Sequence, residues 1–184
     1  SSPSRGLGDV YKRQVHLYIH SDAKKDNIID IVINSKVQRP GVCNALETLL
    51  INEEVYKEMG KEVINALLEK DVELYVDSVI KEDFPKLTLA TAEHYNTEFH
   101  DLKLALKVVN NIEEAISHIN EFSSGHTEAI LTESNQVADL FTSSIDSSVL
   151  FINASTRFTD GEMFGFGAEI GISTQKLHVR GPMG

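Results

Sequence analysis

The sequence predicts an α/β protein, a mainly parallel sheet flanked by helices. Short β-branched and aromatic runs alternate with amphipathic stretches of about ten to fifteen residues, the spacing of crossover units between parallel strands. Hydrophobic residues make up 41% and charged residues 24%, a globular balance. At 184 residues the chain suits one domain or one lobe of a larger protein. A chain of this size buries about 70% of its unfolded surface and needs neither disulfide staples nor a structural metal.

The elements follow in order. Residues 1–14 mix Ser, Gly, Pro and basic side chains without periodicity and lack the apolar middle of a signal peptide. They read as a disordered or adaptor-derived leader that makes no ordered contact with the body. Residues 15–19 are a strand. Residues 23–36 place Ile28, Ile29, Ile31, Val32 and Ile33 on a helical stripe, with Asp22 as its cap. Residues 48–51 form a second apolar run. Residues 53–70 form a long helix with acids early and Lys70 late, the order the helix dipole favours. Strands at 104–109, 129–132 and 149–153 then alternate with helices at 112–122 and 135–143. From residue 154 onward glycines and polar residues break the rhythm, as in a functional loop. No repeat of 20–50 residues is visible.

Seventeen basic against 28 acidic residues leave a net charge of −11. Neither a nucleic-acid groove nor adhesion to an anionic membrane fits that balance, since both need a basic face. The single cysteine cannot form an internal disulfide and fits a reducing cytosol. No apolar run approaches the ~18 residues of a membrane span.

Cys43 is the first candidate for chemistry. Pro40 and Gly41 favour a turn that delivers the thiol just after a helix, and Lys36 and Arg39 lie near enough in sequence to favour the thiolate. The other reading is a small buried hydrophobe. Arg157 follows the apolar run Val149-Leu150-Phe151-Ile152. Ligands of parallel sheets bind beyond the carboxyl ends of strands, where a guanidinium can grip a carboxylate or phosphate with two bonds. A surface salt bridge is the alternative. On this reasoning Cys43 and Arg157 share a cleft at the carboxyl edge of the sheet. Gly165-Phe166-Gly167-Ala168-Glu169-Ile170-Gly171 has GxGxxxG spacing, one residue too long for a dinucleotide fingerprint, and follows no strand directly. A loop packed against a ligand or a neighbouring strand fits it better. Among seven histidines there is no HExxH and no cysteine-pair spacing, so no metal is expected. His118 reads as solvated, and His126 follows Gly125 in a loop.

Together these words are recognisable. Gln38-Arg39-Pro40-Gly41-Val42-Cys43-Asn44-Ala45-Leu46-Glu47-Thr48-Leu49-Leu50 resembles the nucleophile segment of the γ-glutamyl phosphate reductase (glutamate-5-semialdehyde dehydrogenase) family of the aldehyde dehydrogenase superfamily. Thr97-Glu98-Phe99, Lys107-Val108-Val109, Ser124-Gly125-His126-Thr127-Glu128-Ala129-Ile130 and Ile152-Asn153-Ala154-Ser155-Thr156-Arg157-Phe158-Thr159-Asp160-Gly161 follow in the family's order. Gly167-Ala168-Glu169-Ile170-Gly171 and Gly181-Pro182-Met183-Gly184 complete it. Arg39-Pro40-Gly41-Val42 looks more like the free-standing reductase than like its fusion to a glutamate kinase.

The resemblance implies an aldehyde-dehydrogenase-like catalytic lobe over residues 15–184. The family's amino-terminal cofactor half and its terminal oligomerisation strand are expected to lie outside this chain. It implies NADPH-dependent reduction of L-glutamyl 5-phosphate through a thioester on Cys43, in cytoplasmic proline biosynthesis by a homo-oligomer. Glu98 takes the place of the superfamily's glutamate at the nicotinamide ribose. Ser155, Thr156 and Arg157 are the choice for the substrate carboxylate, Arg39 for the phosphate, and Asn44 joins the substrate-binding set. Metal, nucleic acid and membrane have no part in this reading. The rival expectation is a truncated polypeptide with no activity alone, or an interaction surface.

Overall fold

A computed structural model describes residues 14–157. Its strands are β1 (His16–Ile19), β2 (Thr48–Asn52), β3 (Glu73–Val76), β4 (Thr88–Leu89), β5 (Lys103–Val109), β6 (Thr127–Leu131) and β7 (Val149–Ile152). The helices between them are α1 (Lys25–Val37), α2 (Glu53–Glu69), α3 (Ser78–Asp83), α4 (Ala92–Asn96), α5 (Ile112–Phe122) and α6 (Asn135–Ser144). All seven strands are parallel, in the order β4-β3-β5-β2-β1-β6-β7.

Alternation along the strands divides the core in two. Leu17, Ile19, Leu49, Ile51, Leu104, Leu106, Ala129 and Leu131 pack against Ile28 and Val32 of α1, Val63 and Leu67 of α2 and Ile80 of α3. The intervening Tyr18, Leu50 and Ile130 point the other way, onto Ile112, Ala115 and Ile119 of α5 and Phe141 of α6. A one-residue slip of a central strand would exchange its two faces, so both helix layers hold the register. Each wholly buried Leu or Ile contributes about 1.5–3 kcal/mol.

Parallel topology decides where the loops lie. Every strand starts at one edge of the sheet, so residues 38–47, which join α1 to β2, lie at the amino edge. Residues 97–102, entering β5, and residues 123–126, entering β6, lie at that same edge.

Four elements between residues 71 and 102 escape the sequence pattern: β3, α3, β4 and α4. They are short: β3 alternates regularly but over only four residues, and the edge strand β4 has two, both exposed, too few to stand out as periodic runs. Three local expectations need correction. Asp22 does not cap α1, whose N-cap is Lys24 without a side-chain bond; its carboxylate instead accepts from Thr132 Oγ1 at 2.6 Å. His118 is buried rather than solvated, because it packs edge-on to Tyr95 and His16 and against Phe122. Gln14, placed with the leader, belongs to the body. It is fully buried, accepts from Thr48 Oγ1 at 2.9 Å and donates to the Thr97 carbonyl. Residues 1–13 and the glycine segment at 165–171 lie outside the described residues. Among the described residues, no helix is long and apolar enough to cross a membrane.

Candidate active site at the amino edge of the sheet

Two turns follow α1. The Val42 amide donates to the Arg39 carbonyl at 3.3 Å, and the Ala45 amide donates to the Val42 carbonyl at 3.1 Å. The second turn has Cys43 and Asn44 at its centre. Cys43 is exposed at the tip and Asn44 is buried beneath it. The thiol is therefore not the buried hydrophobe that most free cysteines are. Arg39 is exposed at the start of the loop.

Arg157 reaches the same loop from the far side of the chain. Leaving β7, the backbone turns at Asn153, whose φ is 56°, and residues 155–157 pack on α1. The Ser155 hydroxyl donates to Asn34 Oδ1 at 2.6 Å and accepts from Ser35 Oγ at 3.1 Å and from the Arg157 amide at 3.0 Å. Ser35 Oγ accepts from the Thr156 amide at 3.2 Å. These bonds carry Arg157, only 4% exposed, to the side-chain oxygen of Asn44, to which Nη1 donates. A surface salt bridge is excluded by that burial. Ser155 is occupied in holding its own segment, whereas the buried Thr156 Oγ1 has no hydrogen-bond partner among the described residues.

The expectation of a carboxyl-edge cleft is thereby overturned. Cys43 and Arg157 do converge, but at the amino edge, because the cysteine loop precedes its strand. At the carboxyl edge, the segments after β1 and β6 are bonded to each other, the His20 amide donating to the Leu131 carbonyl at 3.0 Å and Thr132 Oγ1 to Asp22 Oδ1 at 2.6 Å. The segments after β6 and β7 are bonded in turn. Thr132 donates through its amide to Asn153 Oδ1 at 2.9 Å and accepts from Asn153 Nδ2 on its carbonyl at 2.8 Å.

Lys36 does not approach as a free cation. Its ammonium is fully buried, donates to the Leu46 carbonyl at 2.9 Å and lies 3.8 Å from Glu47 Oε2. Burial lowers the Lys36 pKa, with Glu47 and Asp101 opposing. Burial likewise pushes the Glu47 carboxyl up to about 7, against the pull of Lys36 and of the Phe99 and His100 amides. The Phe99 amide donates to Glu47 Oε2 at 3.0 Å. Glu98, the preceding residue, is mostly buried, with Oε1 3.0 Å from His100 Nε2. The other ring nitrogen, His100 Nδ1, lies 3.3 Å from the Gly41 carbonyl. Glu98 and Cys43 thus belong to two loops bonded to each other. His126 also enters at this edge, paired through Nδ1 with Thr127 Oγ1 at 2.5 Å.

Sequence reasoning passed over Gln14, Glu47 and His100. Glu47 left a signal: an acid enclosed by Ala45, Leu46, Leu49 and Leu50, where a surface charge is out of place. Among the described residues, no group of three or more His, Cys, Asp or Glu side chains could hold a metal ion.

No family model matches the chain. It is 50% identical over 169 residues to a γ-glutamyl phosphate reductase of Thermoanaerobacter pseudethanolicus and 52% identical over 169 residues to one of Bacillus cereus. Each alignment covers 92% of this chain and 41% of the relative, so the chain spans about two fifths of the length of these relatives. The crystal structure of γ-glutamyl phosphate reductase from Thermotoga maritima superposes with a TM-score of 0.79 at 46% identity, covering 93% of this chain and 41% of that one. Succinic semialdehyde dehydrogenase from Streptococcus pyogenes, solved with NADP+, has a TM-score of 0.61 at 14% identity, covering 77% and 41%, a likeness of fold alone.

Proposed function

We propose that this chain, which belongs to the γ-glutamyl phosphate reductase family of the aldehyde dehydrogenase superfamily, is the nucleophile-bearing lobe of an enzyme of proline biosynthesis. The reaction is reduction of L-glutamyl 5-phosphate to L-glutamate 5-semialdehyde and phosphate. NADPH is the reductant, and the cytoplasm is the compartment. The observation that supports this reading best is Cys43, exposed at a turn tip whose other central residue, Asn44, is held by buried Arg157.

In the first step the Cys43 thiolate attacks the acyl carbon. The S–C bond forms, the C–O bond to phosphate breaks, and phosphate leaves. Backbone amides beside Cys43 stabilise the oxyanion, since the two turns use the amides of Val42 and Ala45 and not that of Cys43. The nicotinamide supplies the hydride that the thioester carbon accepts when the cofactor is bound. The resulting thiohemiacetal on Cys43 collapses, releasing the aldehyde and restoring the thiolate. No water is activated in this direction, so no hydrolytic base is required.

The residues present fit part of such a cofactor. Glu98 offers a carboxylate acceptor, suited to ribose hydroxyls, from a loop bonded to the Cys43 loop. The phosphate and adenosine anchors are assigned to the portion of the relatives that this chain does not span. Arg157 and Thr156 orient the substrate carboxylate with Asn44, Ser155 holds their segment against α1, and Arg39 meets the phosphate from the exposed start of the loop. The complete enzyme works as a homo-oligomer. The 41% span favours a second statement, that this chain alone does not turn over.

Intact-mass analysis after incubation with L-glutamyl 5-phosphate tests the first step without cofactor. A glutamyl adduct on the wild type, lost in Cys43→Ser, is the expected result. An adduct that survives Cys43→Ser removes the cysteine from the mechanism.

A further inference from the structure

We infer that Glu47 is a positioning residue, a buried carboxylate that holds the Glu98 loop against the Cys43 loop. The inference rests on the functional reading above, which gives those two loops their significance.

Glu47 is 1% exposed and stands one residue before β2, in the same short segment as Cys43. On one side its Oε2 accepts from the Phe99 amide at 3.0 Å, and the carboxylate also bonds the His100 amide. Those two amides follow Glu98 directly. On the other side lies the Lys36 ammonium, which donates to the Leu46 carbonyl. Backbone from residues 98–100 and backbone from the cysteine loop therefore meet at one ion pair. The Gly41 carbonyl and the His100 ring make a second link between the same loops. His100 has a φ of 52°, an uncommon conformation for a side chain other than glycine, and such a backbone persists where surroundings over-determine it.

The arrangement has a cost that packing alone does not explain. A buried ion pair is commonly no more stabilising than apolar residues of the same volume. A carboxylate that accepts two consecutive amides supplies direction, which an apolar residue cannot. Such a clamp fits a site in which a thiol and a cofactor ribose must keep a set separation, because hydride transfer tolerates little misplacement.

The sole cysteine makes the test direct: alkylation of Cys43 by iodoacetamide, alongside amide hydrogen exchange at Phe99 and His100, in Glu47→Ala and Glu47→Gln. In Glu47→Ala, exchange at both amides should rise about tenfold, the loss of one hydrogen bond to a charged group. Cys43 alkylation should shift with it by about threefold or more. Glu47→Gln keeps an acceptor oxygen and should return both readouts toward wild type. If Glu47→Ala does not fold, Lys36→Met/Glu47→Leu removes both charges without stranding either, and should show the same paired changes. Deprotected amides with an unmoved Cys43 rate would overturn the inference, as would failure of Glu47→Gln to restore them in a folded protein. Neither readout needs turnover, so a failed thioester assay leaves this test standing.

Discussion

Arg157 and Asn44, 113 positions apart, are joined by a buried hydrogen bond from guanidinium Nη1 to the amide oxygen beside Cys43. The bond ties the segment after the last described strand to the loop before the second. Asn44→Ala leaves that guanidinium nitrogen without this acceptor in a buried site. We expect a loss of about 1.5–3 kcal/mol, the range for hydrogen bonds to charged groups. Urea unfolding with an unchanged slope checks it, and a loss under about 0.5 kcal/mol, the range of ordinary surface substitutions, would count against the bond.

Two buried groups give stability opposite pH dependences. Glu47 is raised by burial from 4.5 to about 7. Its contribution is fully present below about pH 4.5 and is lost as pH rises through 7, because the folded state binds the proton more tightly. His118 is lowered from 6.5 to about 3, first by burial, then by His16 and Lys107. Its contribution is present above pH 6.5 and is lost as pH falls through 3. The stability of wild type relative to Glu47→Gln should therefore fall as pH rises from 4.5 to 7. Relative to His118→Phe it should fall as pH drops below 6.5. Each slope is at most about 1.4 kcal/mol per pH unit. Urea titrations across this range decide the signs, and a reversed sign for either variant refutes its assignment.

Gly60 should resist a substitution that helices ordinarily welcome. Replacing glycine by alanine within a helix gains about 1 kcal/mol from propensity. Here the added Cβ would stand 2.2 Å from Tyr56 Cδ2 and 2.9 Å from its Cγ. The ring cannot swing aside freely, because Tyr56 donates to Asp83 Oδ2 at 2.6 Å. Overpacking of this kind costs about 1–3 kcal/mol. Gly60→Ala should lower the melting temperature, and the same change in a Tyr56→Ala background should not.

The chain alone should bind NADPH weakly and transfer no hydride. On the proposed reading Glu98 addresses one ribose only, and a net charge of −11 provides no general attraction for a polyanionic cofactor. Cys43 should still react with iodoacetamide, since it is exposed on a local turn. Fluorescence titration with NADPH, together with the reverse assay using phosphate, NADP and glutamate semialdehyde, checks both. Micromolar binding with turnover would mean that the lobe carries a complete cofactor site.

Much was determined by the sequence itself. The alternation that separates Leu17 and Ile19 from Tyr18 is local, and so is the 3.6-residue stripe of α5, whose bounds the pattern predicts. The motif around Cys43 marks a turn because Pro40 and Gly41 restrict the backbone within a few residues. What only the tertiary structure decided is the company that turn keeps. The amino edge follows from a loop that precedes its strand in a parallel sheet, but which other loops stand beside Cys43 there depends on strand order, which no local pattern encodes. The pairing of Arg157 with Asn44, and of Glu47 with the Phe99 amide, depends on segments 113 and 52 positions apart being packed together. The burial that makes Lys36, Glu47 and His118 chemically unusual comes from side chains contributed by distant elements. Desolvation is a property of the assembled core, so a charged residue read in sequence appears solvated until the fold surrounds it.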